Sequence, residues 1–277
     1  LLSPAGNLEK LKIAIKYGAD AVYGGVSHFS LRIRASKEFT YETFKEAIDY
    51  AHERGKKVYA TINGFPFNSQ IELLKTHIKK MAELKPDAFI VAAPGVVRLC
   101  REIAPQIDIH LSTQANVLNY LDAQVFWDMG VKRIVVAREI SLKDVMEIKK
   151  HLPDMEIEIF VHGSMCFAYS GRCLISAVQM GRVPNRGSCA NDCRFEYTLY
   201  AGNDEHGSLF RLEEEPGVGT YIFNSKDMNL ASHIQEILDS KAVDSLKIEG
   251  RTKSPYYAAV TAKAYREAID NYYAGKF

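Results

Sequence analysis

Four of the five cysteines in this 277-residue chain fall within the 28 positions from Cys166 to Cys193, in the pattern Cys166-x6-Cys173-x15-Cys189-x3-Cys193. Thiols this dense suggest three chemistries. Structural disulfides are the least suited, because a chain of this length buries enough core to need no staples and nothing in it points to secretion. A tetrahedral zinc site usually shows two short C-x2–4-C knuckles, and the six-residue first gap departs from that pattern. An iron–sulfur cluster takes thiolates that converge from irregular loops, and it suits the spacing best. Chance clustering is the residual alternative. Gly163, Gly171, Gly181 and Gly187 would let the backbone turn tightly around such a centre. Arg172, Arg182, Arg186 and Arg194 would offset thiolate charge, face an anionic ligand or simply be solvated. Cys100, in "GVVRLCREIA", sits at helical spacing among apolar residues and reads as a core cysteine.

A second set of reactive side chains follows short apolar runs. Asn63 ends "TING"; Gln114 and Asn116 lie in "STQAN"; Arg138 and Glu139 lie in "VAREI". His162 lies in "FVHG", and Lys247, Glu249 and Arg251 share "LKIEGR". Arg138, Lys247 and Arg251 are candidates to clamp a carboxylate or phosphate, with Asn63 and Gln114 as further substrate-binding residues. Glu249 and His162 are candidates for acid–base work beside Arg138. The alternative is that such residues seal a rim or pair with one another. His110, between Ile109 and Leu111, reads as a hydrogen-bonded interior histidine.

These residues need a scaffold that gathers strand ends. β-type runs are expected at 1–3, 21–23, 57–61, 88–91, 109–112, 133–136, 156–161 and 245–248, with amphipathic helical stretches between them. Asn7, Thr40 and Ser141 are placed as helix N-caps, and Pro255 as a first helical residue. Eight strands alternating with helices predict an α/β fold, a (β/α)8 TIM-type barrel whose chemistry collects at the carboxyl ends of the strands. An open doubly wound sheet is the alternative, without support from a G-x-G-x-x-G after the first strand. The rhythm breaks once, after the seventh strand, where 163–223 form a Cys-rich and small β insertion within a single barrel domain, 1–277. "EEEP" at 213–216 reads as a solvated turn, and the alternating run beyond it as part of the β insertion.

The net charge of +1 announces no polyanion binder, so any nucleic acid would have to be met by a local patch. No run approaches 18 apolar residues and no leader is visible, so no membrane partner is expected and the setting is cytoplasmic. The usual zinc-protease, serine-hydrolase and P-loop motifs are missing. Opening on "LLSPAGN", the chain is expected to lack a few residues of its first strand, and a further domain is expected past "NYYAGKF".

"E-x-F-V-H-G-S-M-C-x6-C-L-I-S" resembles the signature of the U32 peptidase, or collagenase-like, family, and "NSKDMNL" with "SLKIEGRTKSPYYAAVTAKAYREAID" resembles its tRNA-hydroxylating branch. The likeness runs nearly the whole chain. It implies a tRNA-modifying enzyme that hydroxylates carbon 5 of the wobble uridine with a prephenate-type organic acid. It implies Cys166, Cys173, Cys189 and Cys193 as ligands of a 4Fe–4S cluster, with zinc as the alternative, and a small β domain beyond the barrel. A U32-type peptidase cleaving collagen-like peptides is the alternative function, and a non-enzymatic metal-binding accessory protein the third. Oligomeric state is not legible.

Overall fold

The structure is a computed structural model that describes residues 1–26, 29–31, 39–203, 205, 207–212 and 226–276. Eight parallel strands close into a barrel: β1 (Leu2–Pro4), β2 (Ala21–Gly24), β3 (Lys57–Ile62), β4 (Ala88–Val91), β5 (Asp108–Leu111), β6 (Arg133–Val135), β7 (Glu156–Gly163) and, after the insertion, a strand at Ser245–Ile248 that pairs with both β7 and β1. The β6–β7 ladder completes the ring. All eight strands stand within two residues of where the sequence placed them, because fully buried parallel strands are short apolar runs between helical caps.

Helices α1 (Leu8–Lys16), α2 (Tyr41–His52), α3 (Ile71–Glu83), α4 (Pro94–Ile103), α5 (Tyr120–Asp128) and α6 (Leu142–His151) follow the first six strands in turn. The predicted caps form. Asn7 accepts from the Lys10 N–H at 3.0 Å, Ser141 accepts from Asp144 at 3.2 Å, and Thr40 and Thr43 cap each other reciprocally. The core between barrel and helices is built from such residues as Leu11, Phe44, Ile78, Val97 and Ile109. Cys100 is fully buried in it, and burial pushes its thiol up to about 12.

The insertion departs after β7. It carries α7 (Ile175–Met180) and an antiparallel hairpin, β8 (Tyr200–Asn203) with β9 (Ser208–Arg211). It returns through β10 (Met228–Asn229), which adds antiparallel to the carboxyl end of β7. Then come α8 (Ile234–Asp239), the eighth barrel strand β11 (Ser245–Ile248), and α9 (Pro255–Tyr273), which Pro255 opens as predicted and Ser254 caps through Tyr257 N–H at 3.1 Å. The predicted turn at 213–216 and the alternating run at 218–224 lie outside the described residues. Among the described residues no helix is long and apolar enough to cross a membrane.

β7 contains an irregularity that matters for the site. Lys247 pairs with Phe160, but Ile248 pairs with His162, so one residue of β7 is extra. Strand side chains alternate, and a bulge resets that alternation. Glu158 and Phe160 therefore point into the barrel, while His162 turns out to the helix layer, 5.6 Å from the Tyr265 ring and 5.9 Å from that of Tyr257.

A thiol-lined pocket at the barrel mouth

At the carboxyl ends of the strands lies a cavity of about 130 Å³. Its floor is polar and almost wholly buried. The Glu158 carboxylate on β7 accepts from Lys247 Nζ at 2.7 Å, from Ser245 Oγ at 2.8 Å and from Arg133 Nη1 at 3.2 Å. Burial alone would raise the Glu158 carboxyl; the Lys247 and Arg133 cations outweigh it and hold the group at about 2. Burial lowers the Lys247 ammonium below the usual lysine range while Glu158 opposes that shift. The ammonium also sits 4.5 Å from the centre of the Tyr23 ring, whose hydroxyl donates to the Ile248 carbonyl at 3.0 Å. Beneath this layer His110 is interior, as its neighbours implied, but its Nδ1 has no hydrogen-bond partner among the described residues; the ring packs edge-on against Tyr59 at 4.5 Å.

Arg251, just past β11, is 5% exposed and donates from Nη1 to Ser30 Oγ at 2.7 Å and to Thr61 Oγ1 at 3.2 Å. Gly25 makes room for this hydroxyl pair: a Cβ there would fall 2.3 Å from Thr61 Oγ1 and 2.7 Å from Ser30 Oγ. Asn63, following β3, accepts from the Leu31 N–H at 3.1 Å and reaches Ser112 Oγ at 3.5 Å. Gln114, following β5, accepts from the Ser112 hydroxyl. Arg138, following β6, lays its guanidinium over the Phe160 ring at 4.0 Å and brings Nη1 to 3.6 Å from the Cys166 sulfur. Glu249 lines the same wall. Asn63, Gln114, Arg138, Lys247, Glu249 and Arg251, dispersed over 189 positions of sequence, thus share one cavity.

His162 is not brought to that cavity. It faces Tyr265, whose hydroxyl is 3.4 Å from its Nδ1, and burial lowers its protonation range while Asp227 opposes. Glu139 and Asn116 also play other parts. Asn116 adopts a left-handed φ of 67° with a buried Oδ1 that has no partner among the described residues. Glu139 clamps the insertion, accepting from the Ser170 N–H at 2.8 Å and from its hydroxyl at 3.0 Å.

The insertion folds back so that Cys166, Cys173, Cys189 and Cys193 all line the cavity, half-buried and free of disulfides. Burial pushes the Cys193 thiol up; Arg194 opposes this and the other three cysteines reinforce it, so each of the three lies within electrostatic reach of Cys193. The Ile175 N–H donates to the Cys173 sulfur at 3.4 Å, and Asn185 brackets the Cys173 peptide with two bonds of 3.2 Å. Among the described residues no three His, Cys, Asp or Glu side chains are gathered closely enough to hold a single metal ion. The arginines mostly brace the loop. Arg172 donates to the Gln114 carbonyl at 2.9 Å, Arg182 to the Ser188 carbonyl at 3.1 Å, and Arg194 to the Met165 carbonyl at 2.7 Å and to Asp227 at 2.9 Å. The side chain of Arg186 lies outside the described set. Gly163 allows the departure: its φ is 113°, and a Cβ would fall 2.8 Å from Glu249 Cβ and from its carbonyl oxygen.

The family model for peptidase family U32 matches residues 6–277. This chain belongs to that family. It is 74% identical over 273 residues to tRNA hydroxylation protein P of Helicobacter pylori, covering 99% of this chain and 65% of that protein. It is 43% identical over 313 residues to tRNA hydroxylation protein P of Escherichia coli, covering 100% of this chain and 69% of that protein. The chain thus spans about two thirds of the length of the curated relatives it matches. A solved structure described as a U32 peptidase shares the fold at 16% identity, with a TM-score of 0.58 over 90% of this chain and 92% of that one.

Sequence reasoning missed Glu158, Tyr23, Phe160 and the Ser30–Thr61 hydroxyl pair. The signal for Glu158 was present in "EIEIFV", where strand alternation puts Glu158 and Phe160 on one side. Ser30 and Thr61 carried no such signal, because only barrel closure brings them to Arg251.

Proposed function

We propose that this chain is the barrel portion of an RNA-modifying enzyme that hydroxylates carbon 5 of the wobble uridine of tRNA. The observation that carries the reading is the convergence of four unpaired thiols with Arg138, Lys247 and Arg251 on a single strand-end cavity. The relatives named tRNA hydroxylation proteins supply the reaction class.

In this reading Cys166, Cys173, Cys189 and Cys193 hold an iron–sulfur cluster. The donor set fits it: four free thiols face one space and a backbone N–H already points at one sulfur. Bound there, the cluster would supply redox or Lewis-acid chemistry at the mouth. Arg251 and Arg138 pair with the carboxylates of a prephenate-type organic acid, and Lys247 fixes its depth. Asn63 and Gln114 orient it from the rim. Glu249, the carboxylate on the cavity wall, is the group placed to hold or move a proton beside the bound substrate. Peptide cleavage, which the family name suggests, draws no support from the cavity, whose described lining offers no histidine to activate a hydroxyl or thiol.

Nucleoside mass spectrometry of tRNA from cells lacking the gene tests this. Wobble 5-hydroxyuridine derivatives are expected to disappear, to return with the wild-type gene and to stay absent with Arg251→Ala. Their persistence in the deleted strain refutes the reading.

A further inference from the structure

Most cations in the described lining of the cavity are already engaged. Lys247 is paired with Glu158 at 2.7 Å and Arg194 with Asp227 at 2.9 Å, while Arg251 donates to Ser30 and Thr61. Arg138 stands apart: the ion pairs of the described residues give it no carboxylate. Its guanidinium lies over the Phe160 ring, 4.0 Å from the ring centre, and Nη1 stands 3.6 Å from the Cys166 sulfur. One face of the group is thus covered and one edge is turned to a cysteine. A guanidinium is a flat fork with donors along more than one edge, so it can meet a second anion without giving up the first contact. Its charge also acts on the Lys247 ammonium and the Tyr23 hydroxyl, both of which belong to residues lining the same space.

A residue that touches both a cysteine sulfur and the ligand space links events at the two. The reduction potential of a thiolate-held iron–sulfur centre depends on its net charge and on hydrogen bonds to its sulfurs. A cation at Cys166 favours the state of such a centre that carries more negative charge, which is the reduced one. A carboxylate drawn to the same guanidinium offsets that cation and withdraws part of its support. We propose that Arg138 is a coupling residue: by touching Cys166 it raises the reduction potential of the cysteine-held centre, and by engaging an organic anion in the cavity it lowers that potential when the anion binds. The coupling is reciprocal, so the anion binds more tightly to the oxidised protein than to the reduced one. The step concerned is uptake of one electron by the oxidised centre from a low-potential one-electron donor, dithionite in the experiment below. No bond forms or breaks in it, and Arg138 keeps its protons. The proposal rests on the iron–sulfur reading above and adds to it the residue through which the occupant of the cavity reaches the cysteines.

The test is a dithionite potentiometric titration of the anaerobically purified protein, read by its visible absorption, without prephenate and with prephenate at a concentration that calorimetry shows to saturate each protein. In the wild type, bound prephenate should raise the oxidised-to-reduced ratio at a fixed applied potential about tenfold, the scale of one charge-assisted hydrogen bond and equal to about 59 mV for a one-electron centre. Arg138→Met keeps an unbranched side chain against Phe160 without the charge. Its ratio should be raised about tenfold before any prephenate is added, and prephenate should then move it less than about twofold if the two changes act on one contact. Arg138→Lys, which returns a cation, should recover part of the resting difference. A wild-type potential unchanged by bound prephenate overturns the proposal, and it does so even where Arg138→Met fails to retain iron. A shift on binding as large in Arg138→Met as in the wild type also overturns it; either result leaves tRNA hydroxylation standing. Wild-type protein that carries no iron and sulfide, or that binds no prephenate, overturns the reading on which the proposal rests, and the proposal with it.

Discussion

An ammonium group as deeply buried as that of Lys247, 4% exposed for the whole residue, requires a counter-charge, and Glu158 provides it at 2.7 Å. Arg133 and Ser245 complete the carboxylate's bonds. Replacing one member of a buried pair leaves the other uncompensated, which costs about 3 kcal/mol. Glu158→Gln is expected to destabilise the fold by about that much in urea unfolding, with Lys247 left as a mobile or neutral amine at the cavity floor. The Glu158 carboxyl binds its proton less readily in the folded chain than in the unfolded one. Its contribution is therefore complete above the unfolded-state value of roughly 4.3. It is lost as the pH falls through the folded-state value of about 2. Unfolding measured over that acid range should show the wild type losing its advantage over Glu158→Gln; a constant difference would contradict the assignment. The lysine was legible as a site residue because it precedes Glu249 and Arg251 in one motif. The pairing with Glu158 was not, because Glu158 comes from another strand and only the β7–β11 ladder brings the two together.

At the scale of elements, β7 and the loop that leaves it decide what reaches the cavity. The bulge between Phe160 and His162 keeps Phe160 inside and sends His162 to the helix layer, so a histidine two residues past a pocket residue does not join it. Nothing in the sequence announces that bulge, since "IFVHG" reads as an uninterrupted strand. Beyond it the cysteine loop is tied to the barrel through Glu139 and Ser170. Glu139 touches no sulfur, yet it fixes the loop that carries Cys166 and Cys173. Glu139→Ala is expected to weaken iron retention about tenfold, the usual effect of removing a group that orients metal ligands. The thermal unfolding of the barrel should change little, because Glu139 stands at the rim and not in the core. Iron content measured against a chelator series checks this, and unchanged retention with a lowered melting temperature would assign Glu139 a purely structural part.

At the scale of the molecule, closure of the barrel turns seven strand ends and one long insertion into a single chemical surface. Cys100 and the four insertion cysteines are then two populations. Cys100 is sealed in the core, its thiol pushed up to about 12, whereas the other four face the cavity. Protein purified without oxygen is expected to carry roughly four iron and four sulfide per chain, and little zinc. Any one of Cys166, Cys173, Cys189 or Cys193 changed to Ser should deplete both elements together. Cys100→Ala should keep the full complement while losing about 1 kcal/mol of stability. Stoichiometric zinc without sulfide would overturn the cluster reading in favour of a mononuclear site.

The sequence by itself determined the barrel, three of its helix caps, the place of the insertion, and ten of the site residues that line the cavity. These are consequences of local pattern: apolar runs of strand length, helical periodicity, capping residues at their offsets, and polar residues at strand ends, where a parallel barrel exposes them. Tertiary structure alone decided that Glu158 would neutralise Lys247, that Ser30 and Thr61 would seat Arg251, that His162 would face away, and that Arg138 would reach the Cys166 sulfur. Each of these depends on strand register, a bulge or a chain crossing. Such features are fixed by the packing of residues far apart in sequence, and no window of neighbouring residues contains them.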